Sequence, residues 1–140
     1  MGLLLAVSAL ASLAQARSKI DADGRWRGFV RDVETQHVRF CYTDFYLATK
    51  INFLSEERIV CSSKLGPNRT EYFFEYRERV NRASEAAFVA VNSAQARKLE
   101  ARLQGLGVAF ARLDSMKPLL MPSRKVDPEE LFPGEAFGLR

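Results

Sequence analysis

Small polar residues with the chemistry to hold a ligand recur in this chain at one kind of place. Thr43-Asp44, Ser62-Ser63 and Asn92-Ser93 each follow directly on a short apolar run. Those runs read as parallel strands, so the pairs fall just beyond strand carboxyl ends, the edge where open α/β sheets bind ligands. Hydroxyl, amide and carboxylate groups beside helix N-termini there suit a hydroxylated or anionic ligand. The same residue types are also ordinary helix caps and loop formers. With the neighbouring Tyr42 and Ser55, the candidate ligand-binding set is Tyr42, Thr43, Asp44, Ser55, Ser62, Asn92 and Ser93, with Asp44 at its centre.

Catalytic constellations are not apparent. The chain carries no glycine-rich phosphate loop, no GxSxG and no HExxH. A nucleophile–histidine pair would have to use His37, the only histidine, which sits at a helix–strand junction and reads as a structural or surface residue. Asp44, Glu56 and Glu57 are close in sequence, but their ordinary roles are capping for the first and solvent exposure for the glutamates. Cys41 and Cys61 lack a zinc-type spacing. They read as buried thiols packed as small apolar groups. A disulfide is the alternative in an oxidising compartment, although neighbouring parallel strands seldom offer the geometry. No catalytic residue, metal site or cofactor is expected.

These residues are positioned by a strand–helix–strand stretch, Val38 to Ser63. Val38–Tyr42 and Arg58–Cys61 are rich in strand formers. Between them Phe45, Leu47, Ala48, Ile51 and Leu54 fall on one helix face, and Asp44 stands at the N-cap. Such a unit pairs its strands in parallel.

Before it, Ile20–Gln36 reads as an amphipathic helix with Trp26, Phe29, Val30 and Val33 inward and Asp21 or Asp23 as its cap. After it, a loop leads to a helix from about Thr70 to Arg82, with Tyr72, Phe73, Tyr76 and Val80 as the inner stripe. The cluster Tyr72-Phe73-Phe74 reads as packing against the sheet rather than as a ligand platform. Ala86–Val91 is apolar without alternation, as a strand covered on both faces would be. Ser93 caps a helix over Ala94–Gln104. Val108–Leu113 and Leu119–Met121 complete the sheet, the last strand antiparallel because Asp114–Lys117 is too short for a crossover.

The fold expected is therefore α/β: a small, mostly parallel sheet of four to five strands flanked by helices, a Rossmann-like three-layer arrangement, preceded by an N-terminal hydrophobic segment. The divisions are 1–18 for that segment, 19–122 for the domain and 123–140 for a loosely ordered, Pro- and Gly-containing tail. Length and a 47% hydrophobic content suit one folded domain. The net charge of +4 is spread along the chain without the aromatic-interleaved basic run of a nucleic-acid groove, so nucleic acid is not an expected partner.

Leu3–Ala16 is apolar but shorter than the roughly 20 residues needed to span a bilayer. It reads either as a signal peptide cleaved after Ala14-Gln15-Ala16 or as the closing end of a spanning helix, with Arg17 and Lys19 at the exit. Asn68-Arg69-Thr70 matches a glycosylation acceptor, a triplet common by chance.

The run Cys41-Tyr42-Thr43-Asp44-Phe45-Tyr46, followed by Ile51-Asn52-Phe53-Leu54-Ser55-Glu56-Glu57-Arg58-Ile59-Val60, resembles a recurrent signature. It is similar to Gly-Tyr-x-Asp-aromatic-Trp and a Phe-Leu-Ser-Gly-Glu stretch in soluble C-terminal domains of bacterial multi-pass glycosyltransferase-like proteins, of the polyprenyl- or dolichyl-phosphate-sugar mannosyltransferase type. The likeness extends from about Trp26 to Met121. Cys41 stands in place of the glycine, Tyr46 in place of the tryptophan, and Glu56 where glycine is usual.

The resemblance implies an accessory domain on the periplasmic or extracellular side of the cytoplasmic membrane, tethered through its N-terminal segment. Such a domain would bind or position a sugar or lipid-linked substrate, or dock on a multi-pass transferase. In that class the catalytic carboxylate lies in an early extracytoplasmic loop, so no catalytic residue carries over. A free-standing α/β binding or protein-interaction module, unrelated to glycosylation, is the rival.

Overall fold

The computed structural model describes residues 2–65 and 73–134, with side chains from residue 12 onward. Its elements in chain order are α1 (Gly2–Thr35), β1 (Phe40–Tyr42), α2 (Phe45–Leu54), β2 (Val60–Ser62), α3 (Phe74–Arg82), β3 (Ala87–Val89), α4 (Ser93–Gly105), β4 (Phe110–Asp114), β5 (Pro118–Pro122) and α5 (Pro128–Leu131). The expected helix start at Thr70, the inward Tyr72, the Asn68-Arg69-Thr70 triplet and the last six residues of the tail lie outside the described residues.

The strands form one sheet in the order β2-β1-β3-β5-β4. β1 lies between β2 and β3 and is parallel to both, with Tyr42 opposite Ser62 on one side and Phe88 on the other. β5 is antiparallel to both of its neighbours, β3 and β4. The sheet is thus mixed, which corrects the expectation of a mostly parallel one. The cause is the short β4–β5 connection, which permits only a hairpin. β5 folds back from β4 and takes the place beside β3, so β4 becomes an outer strand.

Both faces are covered, giving three layers. Phe29, Val30 and Val33 of α1 and Leu47, Ala48 and Ile51 of α2 pack on one face against Cys41, Cys61, Ala87 and Val89. On the other, Val80, Ala96, Leu99 and Leu103 from α3 and α4 pack against Tyr42, Val60, Phe88 and Leu120. Burying side chains of this size is worth roughly 1.5–3 kcal/mol each. The alternation of Tyr42 and Cys41 between the two clusters follows from the period of two along a strand.

Two expected boundaries differ. The segment 1–18 does not separate from the helix that follows, because α1 runs unbroken through Asp21, Asp23 and Gly24. Good helix formers and the absence of proline carry the helix across that point, and one glycine costs only about 1 kcal/mol. Residues 12–21 of α1 are exposed, while Phe29, Val30 and Val33 are buried. α1 therefore packs by its C-terminal part, and residues 12–21 project from it into solvent. Among the described residues no helix is long and apolar enough to cross a membrane.

The tail expectation is also corrected for residues 123–134. Val126, Leu131 and Phe132 are buried in the core beside Leu65 and Tyr42. Lys125 Nζ donates to the carbonyls of Val80, Asn81 and Ala83 at 2.6–2.9 Å, closing the end of α3. Asp127 caps α5 in a capping box with Glu130, and its carboxylate meets Lys64 Nζ at 2.9 Å. Composition reported the prolines of this segment, but Pro128 serves as a helix start.

Candidate functional site

The three strand ends do come side by side, since Thr43 N–H donates to Ser62 O at 3.0 Å and Tyr42 is in register with Phe88. Thr43, Asp44 and Asn92 at that rim, however, each serve the fold. Thr43 is buried and its hydroxyl donates to Val89 O at 2.7 Å, tying β1 to β3. Asp44 Oδ1 accepts from Leu47 N at 2.8 Å as the N-cap of α2, as its position in the sequence predicts. Asn92 Oδ1 accepts from Gln95 N at 2.9 Å, and Gln95 Oε1 accepts from Val91 N at 2.8 Å. Asn92, not Ser93, is therefore the cap of α4, and Ser93 is its exposed first residue. Ser62 and Ser63 are buried. Asp44→Ala is expected to lower stability by about 1 kcal/mol in thermal unfolding, and Asp44→Asn, which still caps, by much less.

Tyr42 does not face the rim. It is fully buried on the α3–α4 side, its ring 5.6 Å from that of Phe88, and its hydroxyl has no hydrogen-bond partner among the described residues. Burial pushes the phenol well above its ordinary range, and the carboxylates of Asp127 and Glu130 push it further. A buried hydroxyl without a partner costs about 1–3 kcal/mol, so Tyr42→Phe should raise the urea midpoint rather than lower it.

Ser55 lies at the other end of α2, away from the rim. It is the C-cap, and its buried hydroxyl accepts from Ile59 N and donates to Ile59 O, each at 3.1 Å. Three residues earlier, Asn52 repeats the device: Oδ1 accepts from Cys61 N at 2.7 Å and Nδ2 donates to Cys61 O at 3.1 Å. Val60 N and Ser62 O bond toward β1, so the N–H and C=O groups of Ile59 and Cys61 face outward on this outer strand. One helical turn, Asn52 to Ser55, thus closes the exposed edge of β2 with side chains. The sequence reading passed over Asn52. Its signal was a polar residue on the helix face that carries Ala48 and Ile51, one turn before a strand.

The turn after α2 is left-handed at two successive non-glycine residues, Glu56 at φ 51° and Glu57 at φ 59°. Such backbone is costly away from glycine. Here it brings the Glu57 carboxylate to α3, where Tyr76 Oη donates to it at 2.8 Å and Arg79 meets it at 2.7 Å. Those two contacts, Tyr76 first, hold Glu57 below its ordinary value of 4.5. A depressed carboxylate contributes stability above its unfolded pKa and loses it as pH falls through the folded one. As pH falls below the ordinary carboxylate range the α2–α3 bridge should therefore open, read as a shift of the Tyr76 ring resonances, and Glu57→Gln should abolish that transition.

Beside this bridge, along the outer edge of β2, a cavity of about 510 Å³ opens between α2 and the start of α3, lined among others by Phe45, Thr49, Phe53, Glu56, Phe73 and Tyr76. Phe53 is 79% exposed and Phe73 52%. The helix-packing expectation for Phe73 and Phe74 is thereby corrected: both are exposed, and among the described residues of the inner stripe only Val80 is fully buried.

Cys41 and Cys61 are joined as a disulfide, so the thiol expectation gives way to its alternative. They stand directly opposite in β1 and β2 with Cα atoms 4.4 Å apart, at the close end of what a disulfide bridges. Both are buried.

Fold and site together define a three-layer α/β domain with an open aromatic groove and a stapled outer strand. No family model matches the chain, and no curated protein and no solved structure is similar enough to it to count as a match.

Proposed function

We propose that the chain is an accessory, non-catalytic domain of a membrane glycosyltransferase-like protein, held on the extracytoplasmic side, where it binds or positions a sugar or lipid-linked substrate. The observation that carries this reading is α1. One helix packs Phe29, Val30 and Val33 on the sheet and continues without a break into the apolar stretch Leu3–Ala16. A continuous helix transmits the orientation of one end to the other, which is what an accessory domain coupled to a membrane partner requires. The buried Cys41–Cys61 disulfide supports an oxidising compartment, where such bonds persist.

Fractionation of bacterial cells producing the chain tests the reading. The domain should sediment with membranes and be cleaved by protease added to spheroplasts. Recovery in the soluble fraction as a protein beginning near Arg17, or protection from the external protease, would contradict it.

A further inference from the structure

The groove beside β2 carries a mixed set of groups. The Phe53 and Phe73 rings are exposed, the Phe73 ring 5.5 Å from that of Tyr76. The Glu57 carboxylate at its mouth is met by Arg79 at 2.7 Å, whereas Glu56 lies 3.6 Å from Arg58, which itself meets Glu34 at 2.8 Å. The exposed Thr49 is among the lining residues, its hydroxyl donating to Phe45 O at 2.9 Å with acceptor capacity left over. The rings call for a ligand with an apolar face. The carboxylates call for donors, and the guanidiniums beside them call for acceptors. Glu57 is held by Arg79, Glu56 is largely solvated, and the two carboxylates disfavour a phosphate. A lipid tail would take these charged groups out of water and give them no new hydrogen bonds in return.

We infer that this groove, and not the strand-end rim, is the carbohydrate subsite of the domain, taking a neutral pyranose ring with its C–H face on Phe53 and Phe73 and its hydroxyls on the Glu56–Glu57 turn. The inference rests on the accessory sugar-binding reading above and names the place where that binding occurs. The left-handed turn at Glu56 and Glu57 is a second feature of the same place, since backbone held in costly conformations collects at functional sites.

The test is amide and aromatic NMR of the full chain titrated with methyl mannopyranoside, methyl glucopyranoside and methyl galactopyranoside, with choline and inorganic phosphate as comparison probes. At least one pyranoside should bind with a Kd of about 1–10 mM and move resonances of residues 45–57 and 73–79. Phe53→Ala and Phe73→Ala should each weaken binding about fivefold or more while leaving the sheet amides unshifted, and Asp44→Asn should leave binding unchanged.

Pyranoside shifts confined to Thr43, Asp44, Asn92 and Ser93 would overturn the groove assignment and leave sugar binding by the domain intact. Shifts in the groove with choline or phosphate but no pyranoside would overturn the ligand class. No response to any pyranoside at about 50 mM would overturn the subsite altogether, while the membrane and compartment parts of the proposal are judged separately by fractionation.

Discussion

Asn52→Ala should cost about 2–3 kcal/mol in urea unfolding, a large effect for a residue without an apolar side chain. Asn52 is buried and supplies both partners of an outward-facing backbone unit, accepting from Cys61 N and donating to Cys61 O. Alanine removes both bonds at once, and each buried backbone group left unmade costs about 1–3 kcal/mol. Water entering from the adjacent groove would recover part of that, which sets the lower end of the range. Asn52→Asp keeps the acceptor but loses the donor and sets a carboxylate against the Cys61 carbonyl, so it should be no better than alanine. Hydrogen exchange localises the effect: the Cys61 amide should lose protection in Asn52→Ala while the Phe88 amide keeps it. An Asn52→Ala protein within about 0.5 kcal/mol of the parent would show that the edge of β2 is satisfied in some other way.

The second large effect is the cost of losing the disulfide. Cys41 and Cys61 close a loop of 20 residues that contains α2. Chain-entropy arguments give about 3 kcal/mol for a loop of that length. The double variant Cys41→Ala with Cys61→Ala keeps small apolar groups at both buried positions, so its loss of stability reports the cross-link with only a minor packing contribution. A reductant added to the folded protein should do nothing, because both sulfurs are buried and attack needs access. The same reductant near the urea midpoint should shift unfolding to lower denaturant by the equivalent of about 3 kcal/mol. Coincident unfolding curves with and without reductant would remove the bridge from the account.

Local signals in the sequence located most of the elements. The apolar runs at Phe40, Ile59 and Phe88, with Asp44 at the right place to cap a helix, led to three adjacent parallel strand segments, and these are present. The β4–β5 connection was recognised as too short for a crossover. Its consequence for strand order, β5 between β3 and β4, depends on which edges pair and has no local signal. The tail was misjudged because Pro and Gly report backbone preference and not burial. Val126, Leu131 and Phe132 find their partners in distant elements.

The candidate site was less legible than the fold. Strand-end residues were chosen for their chemistry, but small polar groups at those ends are also what a compact fold needs for its own backbone. Thr43, Asp44, Ser55 and Asn92 all serve that need. The groove depends on how α2 and α3 sit against one another, and the contacts between them, Glu57 to Tyr76 and Arg79, run across 19 and 22 residues of chain.

The Cys41–Cys61 bridge joins the two halves of the proposal, a stapled sheet and a compartment where disulfides persist. The direct measurement is the thiol state of the chain in intact bacterial cells, trapped by alkylation in denaturant at the moment of lysis and read by mass. The prediction is no alkylation of Cys41 or Cys61 unless a reductant is added first, and alkylation of both afterwards. Both thiols alkylated without reductant would contradict the extracytoplasmic placement and the bridged sheet together.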